Sequence, residues 1–220
     1  MKSLFSKVFF VAISLTFLTS CVETVIVGSV AGGAAVTREK TISDTQKDVV
    51  IATKLGTEFF ANGLKNPFNS IDITVNEGRI LLTGITTDLA KAKLANDLSW
   101  KVAGVKEVID EIQIMDDKTS LTRRTSIALS DYLITSAIET KLFVNTKIRS
   151  FNYQITTVNK SVYILGVARN KTELNAVLDI VSRGRGIEKV INHAILADDS
   201  RRHGGAPKKG AFKEEDEVIN

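Results

Sequence analysis

The chain has 220 residues, 44% of them apolar and 25% charged, with a formal net charge of +4. That length accommodates one medium domain or two small ones, and the small net charge carries no global mark of nucleic-acid binding. One cysteine and two histidines exclude an intramolecular disulfide and a Cys/His zinc cage. The first element is apolar: Lys2 and Lys7 precede the run Val8 to Leu18. This run is shorter than the ~20 residues a spanning helix needs and fits the roughly 7–15 of a signal-peptide core. Small Thr19 and Ser20 then lead into Cys21, the single cysteine.

Leu18-Thr19-Ser20-Cys21 resembles the bacterial lipobox. The resemblance implies that 1–20 is a lipoprotein signal peptide cleaved before Cys21, and that Cys21 carries an S-diacylglycerol and an N-acyl group. Several acyl chains, at about 0.8 kcal/mol per buried CH₂, anchor stably where one does not. No other cofactor is expected. Val22, rather than Asp, after the cysteine implies the outer membrane, periplasmic face, over retention at the inner one. Residues 21–43 read as a lipidated tether; the apolar stretch Val25 to Val36 holds Gly28 and Gly32 at GxxxG spacing but is too short to span.

The middle of the chain repeats itself. "GVKEVIDEI" at Gly104 matches "GIEKVINHA" at Gly186, and Gly84 and Gly166 each stand 20 residues upstream, so the offset is 82. Asp48, Ile51, Leu55, Phe59 and Phe68-Asn69 match Asp131, Ile134, Ile138, Leu142 and Phe151-Asn152 at offset 83. One residue of slip therefore falls between Asn69 and Gly84, and the turn is its expected place, "NEGR" (Asn76 to Arg79) against a shortened "NKS" (Asn159 to Ser161).

In the first copy Ile51, Leu55 and Phe59 share one helix face, and Asn62-Gly63 ends that helix. Ile71, Ile73 and Val75 alternate as a strand, "NEG" turns, and "RILLTG" returns. Thr87 and Asp88 cap a second helix ended by Gly104; Val105, Glu107 and Ile109 alternate as a third strand, with Val108 out of pattern. Asn170 and Glu173 stand at capping-box spacing in the second copy. The fold class is α+β: two tandem αββαβ domains, each a three-stranded sheet with two helices on one face, at 44–116 and 117–199. Gly84, Gly104, Gly166 and Gly186 are its structural glycines, and the charged segment 200–220 reads as disordered.

The pattern resembles the BON domain: an Asp-led first helix (Asp48, Asp131), a strand ending in Leu and Gly (Leu82 to Gly84, Leu165-Gly166), and a second helix ending in Gly-Val or Gly-Ile (Gly104-Val105, Gly186-Ile187). The resemblance covers about residues 44–197. With the lipobox and tether, it is similar to the dual-BON outer-membrane lipoproteins. That implies non-enzymatic binding to an anionic phospholipid membrane (phosphatidylglycerol or cardiolipin), support of outer-membrane integrity, outer-membrane assembly proteins as further partners, and no nucleic acid. It places the lipid surface chiefly on the first helix of the second domain.

Charge agrees with this picture. Residues 44–116 hold 8 basic and 11 acidic residues, net −3; residues 117–199 hold 12 and 8, net +4. A basic domain is drawn to acidic lipid at about 1 kcal/mol per cation held near it. On the helix "TRRTSIALSDYLITSAIETKLF" the core stripe is Ile134, Ile138 and Leu142, while Leu129, Tyr132 and Leu133 point away from it beside Arg123 and Arg124. The candidate lipid-binding residues are therefore Arg123, Arg124, Leu129, Tyr132 and Leu133, the apolar three entering the headgroup layer and the arginines pairing with phosphate. The alternative for this patch is packing on the first domain. Where the resembled pattern has an aromatic, this chain has Leu133, with Tyr132 beside it. Lys141, Lys147, Arg149, Arg183 and Arg185 widen the basic surface. Trp100 reads as interdomain packing, His193 as a satisfied histidine, and His203 falls in the tail. No catalytic arrangement, metal-ligand cluster or phosphate-cradling loop stands in the sequence, so no catalytic and no metal residues are assigned. A periplasmic chaperone or protein-interaction adaptor in envelope stress is the alternative function.

Overall fold

Apolar residues four apart wind the first segment into a helix because that spacing places them on one side. In a computed structural model of the chain this is α1, Ile42–Ala61. The structure describes residues 42–66, 69–115, 120–203 and 218–219, all within the unit Ala35–Asn220. The signal-peptide, Cys21 and GxxxG expectations lie outside the described residues.

The first domain continues with β1 (Ser70–Asn76), β2 (Arg79–Thr86), α2 (Leu89–Trp100), β3 (Glu107–Asp110) and β4 (Gln113–Ile114). The second has α3 (Leu121–Val144), β5 (Tyr153–Val158), β6 (Ser161–Ala168), α4 (Lys171–Ser182) and β7 (Lys189–Leu196), and β8 (Val218–Ile219) pairs with β7. Each hairpin is antiparallel, and the strand after the second helix returns parallel to the hairpin's second strand. Asp88 caps α2 through Ala90 N–H at 2.8 Å, as expected. The third strand of the first copy is broken into β3 and β4, whereas β7 runs uninterrupted.

Both hairpins have two-residue turns, so the repeat slip is not in the turn. Asn76 pairs with Arg79 and Val158 with Ser161. Ile71 faces Gly84 and Tyr153 faces Gly166, an offset of 82 already at the first strand. The extra residue of the first copy therefore sits ahead of Ile71, in the connection from α1. The turn residues Glu77, Gly78, Asn159 and Lys160 all have positive φ, between 47° and 79°, the backbone a type I′ turn requires. One carboxylate from the first helix holds each turn. Asp48 accepts from the N–H groups of Glu77 (2.7 Å) and Gly78 (2.8 Å), and Asp131 from those of Asn159 (2.6 Å) and Lys160 (2.9 Å). This is the physical content of the leading Asp. A Cβ on Gly84 would lie 1.9 Å from the Ser70 carbonyl, and one on Gly166 would lie 2.2 Å from that of Asn152. Gly104 and Gly186 follow the second helices with φ of 95° and 80°.

Each sheet buries both faces. On one, Ile71, Ile80 and Leu82 pack under α1 and α2, and Val162, Ile164 and Val190 under α3 and α4. The opposite faces meet: Leu81, with Ile85 and Ile109, packs on Val158, Tyr163, Leu165 and Ile191. The layers run helix, sheet, sheet, helix. This corrects the third-strand alternation. Val108, the residue out of pattern, joins the first domain's core, while Ile109 belongs to the interdomain cluster. Trp100 ends α2, a helix on the face of its sheet that the second domain does not cover, so it is not the interdomain residue expected.

A polar cluster borders this interface. Arg79, 1% exposed, donates to Glu107 and to the His193 carbonyl at 2.9 Å. His193 Nε2 lies 3.2 Å from Glu111. Residues Ser200–His203, expected within a disordered tail, form a short 3₁₀ turn. From it Arg202 reaches Glu77 with two bonds of 2.8 Å, and Lys106 Nζ donates to the Arg202 carbonyl. Burial pulls the Arg79 guanidinium below its ordinary value, opposed by Glu107. Three acidic groups of the first domain, Glu77, Glu107 and Glu111, are thus spent at the junction rather than displayed to solvent.

Candidate functional site

The site grows out of α3. Ser120 caps its first turn through Arg123 N–H at 3.3 Å, and Lys141 sits in its last turn, where cations oppose the helix dipole. Ile134, Ile138 and Leu142 bury against β5 and α4, with Asp131 on the same side holding the hairpin turn. A helix so fixed on one side has an opposite side determined by ~100° steps. That outer side carries Leu129, Tyr132, Leu133, Phe143 and Val144, each 59–69% exposed.

No charged residue interrupts these five. The positions between them on the outer side are Thr122, Thr125, Ser126, Ser136 and Thr140. Thr125 Oγ1 donates to the Leu121 carbonyl at 3.0 Å and Thr140 Oγ1 to that of Ser136 at 2.8 Å. Hydroxyls already bonded to their own helix cost less to bring into an apolar layer. The charged residues of α3, namely Arg123, Arg124, Asp131, Glu139 and Lys141, lie at the flanks or on the core side. Desolvation pushes the Glu139 carboxyl above its ordinary value.

Leu129, Tyr132 and Leu133 stand together exposed on one side of α3, with Tyr132 also at the edge of the groove shared with the first domain. The structure separates the two arginines. Arg123 is exposed at one flank. Arg124, on the core side of the helix, lines a groove of about 340 Å³ between the domains together with Asp131, Tyr132 and, from the first domain, Asp72. The sequence alone stops at Leu133, although the same 100° step carried three turns further places Phe143 and Val144 on that side. Phe151, in the 3₁₀ turn Ser150–Asn152, stands edge-on to Phe143 with ring centroids 6.1 Å apart. The Asn170–Glu173 capping box is half formed. Asn170 accepts from Glu173 N–H at 2.9 Å, but the Glu173 carboxylate turns to Arg149 N–H and to Arg169. Among the described residues no His, Cys, Asp and Glu cluster suits a metal ion, and no helix is long and apolar enough to cross a membrane.

The BON domain family model matches residues 47–116 and 130–198. An "Uncharacterized protein in gshII 5'region" of Anaplasma centrale is 35% identical over 155 residues, 70% of this chain and 98% of that protein. The outer membrane lipoprotein DolP of Haemophilus influenzae is 25% identical over 175 residues, 80% and 88% of the two chains. A 21 kDa hemolysin of Actinobacillus pleuropneumoniae is 26% identical over 121 residues, 55% and 59%. Two matched segments, each carrying its own helix-held hairpin and parallel return strand, account for the repeat: the chain belongs to the BON-domain family, as a tandem of two BON domains similar to DolP.

Proposed function

We propose that this chain is a lipid-anchored envelope protein whose second BON domain docks on anionic phospholipid through the outer side of α3, in support of outer-membrane integrity. Acyl chains on Cys21 hold the molecule at the periplasmic face of the outer membrane, and α3 lies along the headgroup layer. The observation that carries this reading is the uncharged outer side of α3, with five large apolar side chains exposed on a domain of net charge +4. A face of that composition is stable in water only because the helix is fixed from its other side, and it gains free energy on entering an apolar boundary. The similarity to an outer membrane lipoprotein supports the location.

Vesicle flotation of residues 35–220, the compact unit without its acyl anchor, tests this. It should float with phosphatidylglycerol or cardiolipin vesicles and not with neutral ones, and added salt should weaken it. Leu133→Asp should abolish flotation without changing the melting temperature, because Leu133 is exposed. Equal flotation on neutral vesicles would remove the electrostatic part of the reading. No flotation, with suppression of client aggregation instead, would turn it toward a chaperone. For the anchor, Cys21→Ser in the full chain should lose acyl labelling; sedimentation with membranes as complete as wild type would contradict it.

A further inference from the structure

The carboxyl end of α3 gathers positive charge in a way its amino end does not. Glu173, 3% exposed, accepts from Arg149 N–H at 2.8 Å and pairs with the Arg169 guanidinium. Arg169 in turn donates to the Lys147 carbonyl at 2.9 Å. The α3–β5 connection, the β6–α4 connection and the first turn of α4 therefore meet around one carboxylate. They bring Lys147, Arg149, Arg169 and Lys171 to one place, with Glu173 paired to Arg169. Phe151 lies two residues beyond Arg149, against Phe143 on the outer side of α3. A groove of about 470 Å³ passes both rings, lined also by Glu139, Ser150 and Tyr153.

Neither the other end of α3 nor the first domain repeats this. Arg124 lines a groove whose other residues include Asp72 and Asp131. In the first copy Lys91 occupies the place of Glu173, and Thr87 and Leu89 those of Arg169 and Lys171, at offset 82.

We propose that acidic phospholipid headgroups are held at the carboxyl end of α3, by Lys147, Arg149 and Lys171 around Glu173, with the ring pair of Phe143 and Phe151 at the same end of the helix, and not by Arg123 and Arg124. This rests on the docking reading above and names where its electrostatic part acts. The occupant is the surface of an anionic bilayer. Exposed aromatic rings need an apolar layer to enter, and cations at their margin need phosphates at the boundary of that layer; a soluble anion meets only the second requirement.

Two charge-matched doubles of residues 35–220 separate the alternatives: Lys147→Gln/Lys171→Gln and Arg123→Gln/Arg124→Gln. Lys147, Lys171 and Arg123 are exposed, so the first double and Arg123→Gln alone should melt with the wild type, while the melting temperature of the second double reads any cost of replacing the half-buried Arg124. At about fivefold per cation held near the surface, the first double should weaken binding to phosphatidylglycerol vesicles roughly 25-fold, and the second no more than about threefold. Equal losses, or a larger loss from the arginine pair, would overturn this assignment while leaving the docking reading intact. A wild type that does not bind these vesicles at all would overturn both. Displacement by inorganic phosphate at fixed ionic strength would overturn the bilayer as occupant.

Discussion

Asp48 and Asp131 do the same geometric task in two different environments, and replacing each by Ala should show the difference. Both are buried, at 5% and 6% exposure, and each accepts two backbone N–H groups of a turn with positive φ. In the first domain the turn itself is covered, with Glu77 only 6% exposed under Arg202. Removing the carboxylate there strands two donors where water does not reach, at about 2 kcal/mol each, or roughly 4 kcal/mol in total. In the second domain Asn159 and Lys160 are exposed, so water replaces the lost acceptor. The cost should fall to the net value of two bonds, about 2 kcal/mol. Urea denaturation of residues 35–220 with each single variant measures this, with hydrogen exchange at Glu77, Gly78, Asn159 and Lys160 as the local readout. Equal destabilisation, or a larger loss for Asp131→Ala, would refute the claim that solvent access to the turn sets the difference.

Arg79→Met should destabilise the unit by about 2–3 kcal/mol, because it removes the buried cation bonded to Glu107 and leaves only Arg201, at 3.9 Å, to face that carboxylate, and Arg79→Met/Glu107→Leu should recover most of that loss; denaturant midpoints of the two variants check it. Glu139 bears on pH. Its carboxyl is raised above the ordinary value by desolvation, so the neutral form is favoured, and docking beside acidic headgroups favours it further. Vesicle binding should therefore be strongest below the Glu139 pKa and fall as pH rises through it. Glu139→Gln should flatten that fall and strengthen binding at neutral pH by about fivefold. Flotation between about pH 4 and 7 measures both limbs, and an unchanged pH profile in the variant would assign the effect elsewhere.

The helices, hairpins and glycines were legible because each is a local event. Ile51, Leu55 and Phe59 share a face whatever lies beyond, and Gly84 is required by a neighbour one strand away. Sheet faces were less legible. Alternation marks a strand with one wet side, and here both sides are covered, so β2 reads as a nearly continuous buried run and Val108 looks misplaced. The clamp was not legible at all. Arg202 and Glu77 are 125 residues apart, and nothing local distinguishes Arg202 from the charged residues that follow it. The charge asymmetry between the copies is not all surface display: Glu77, Glu107 and Glu111 make part of it internal complementarity. On α3 the outer side was legible as far as Leu133; Phe143 and Val144 needed only a longer extrapolation, whereas Phe151 needed the turn that brings it back.

That 125-residue reach has a bearing on biosynthesis. A ribosome delivers Leu81, Ile85 and Ile109 well before Tyr163, Leu165 and Ile191 exist to cover them, and the latch, Arg202, arrives later still. The leading half of the nascent polypeptide thus waits with a greasy flank bare, the circumstance in which half-made chains stick to one another. Ribosome-stalled lengths ending before β6 should draw holding factors, and release from them should coincide with emergence of the last turn.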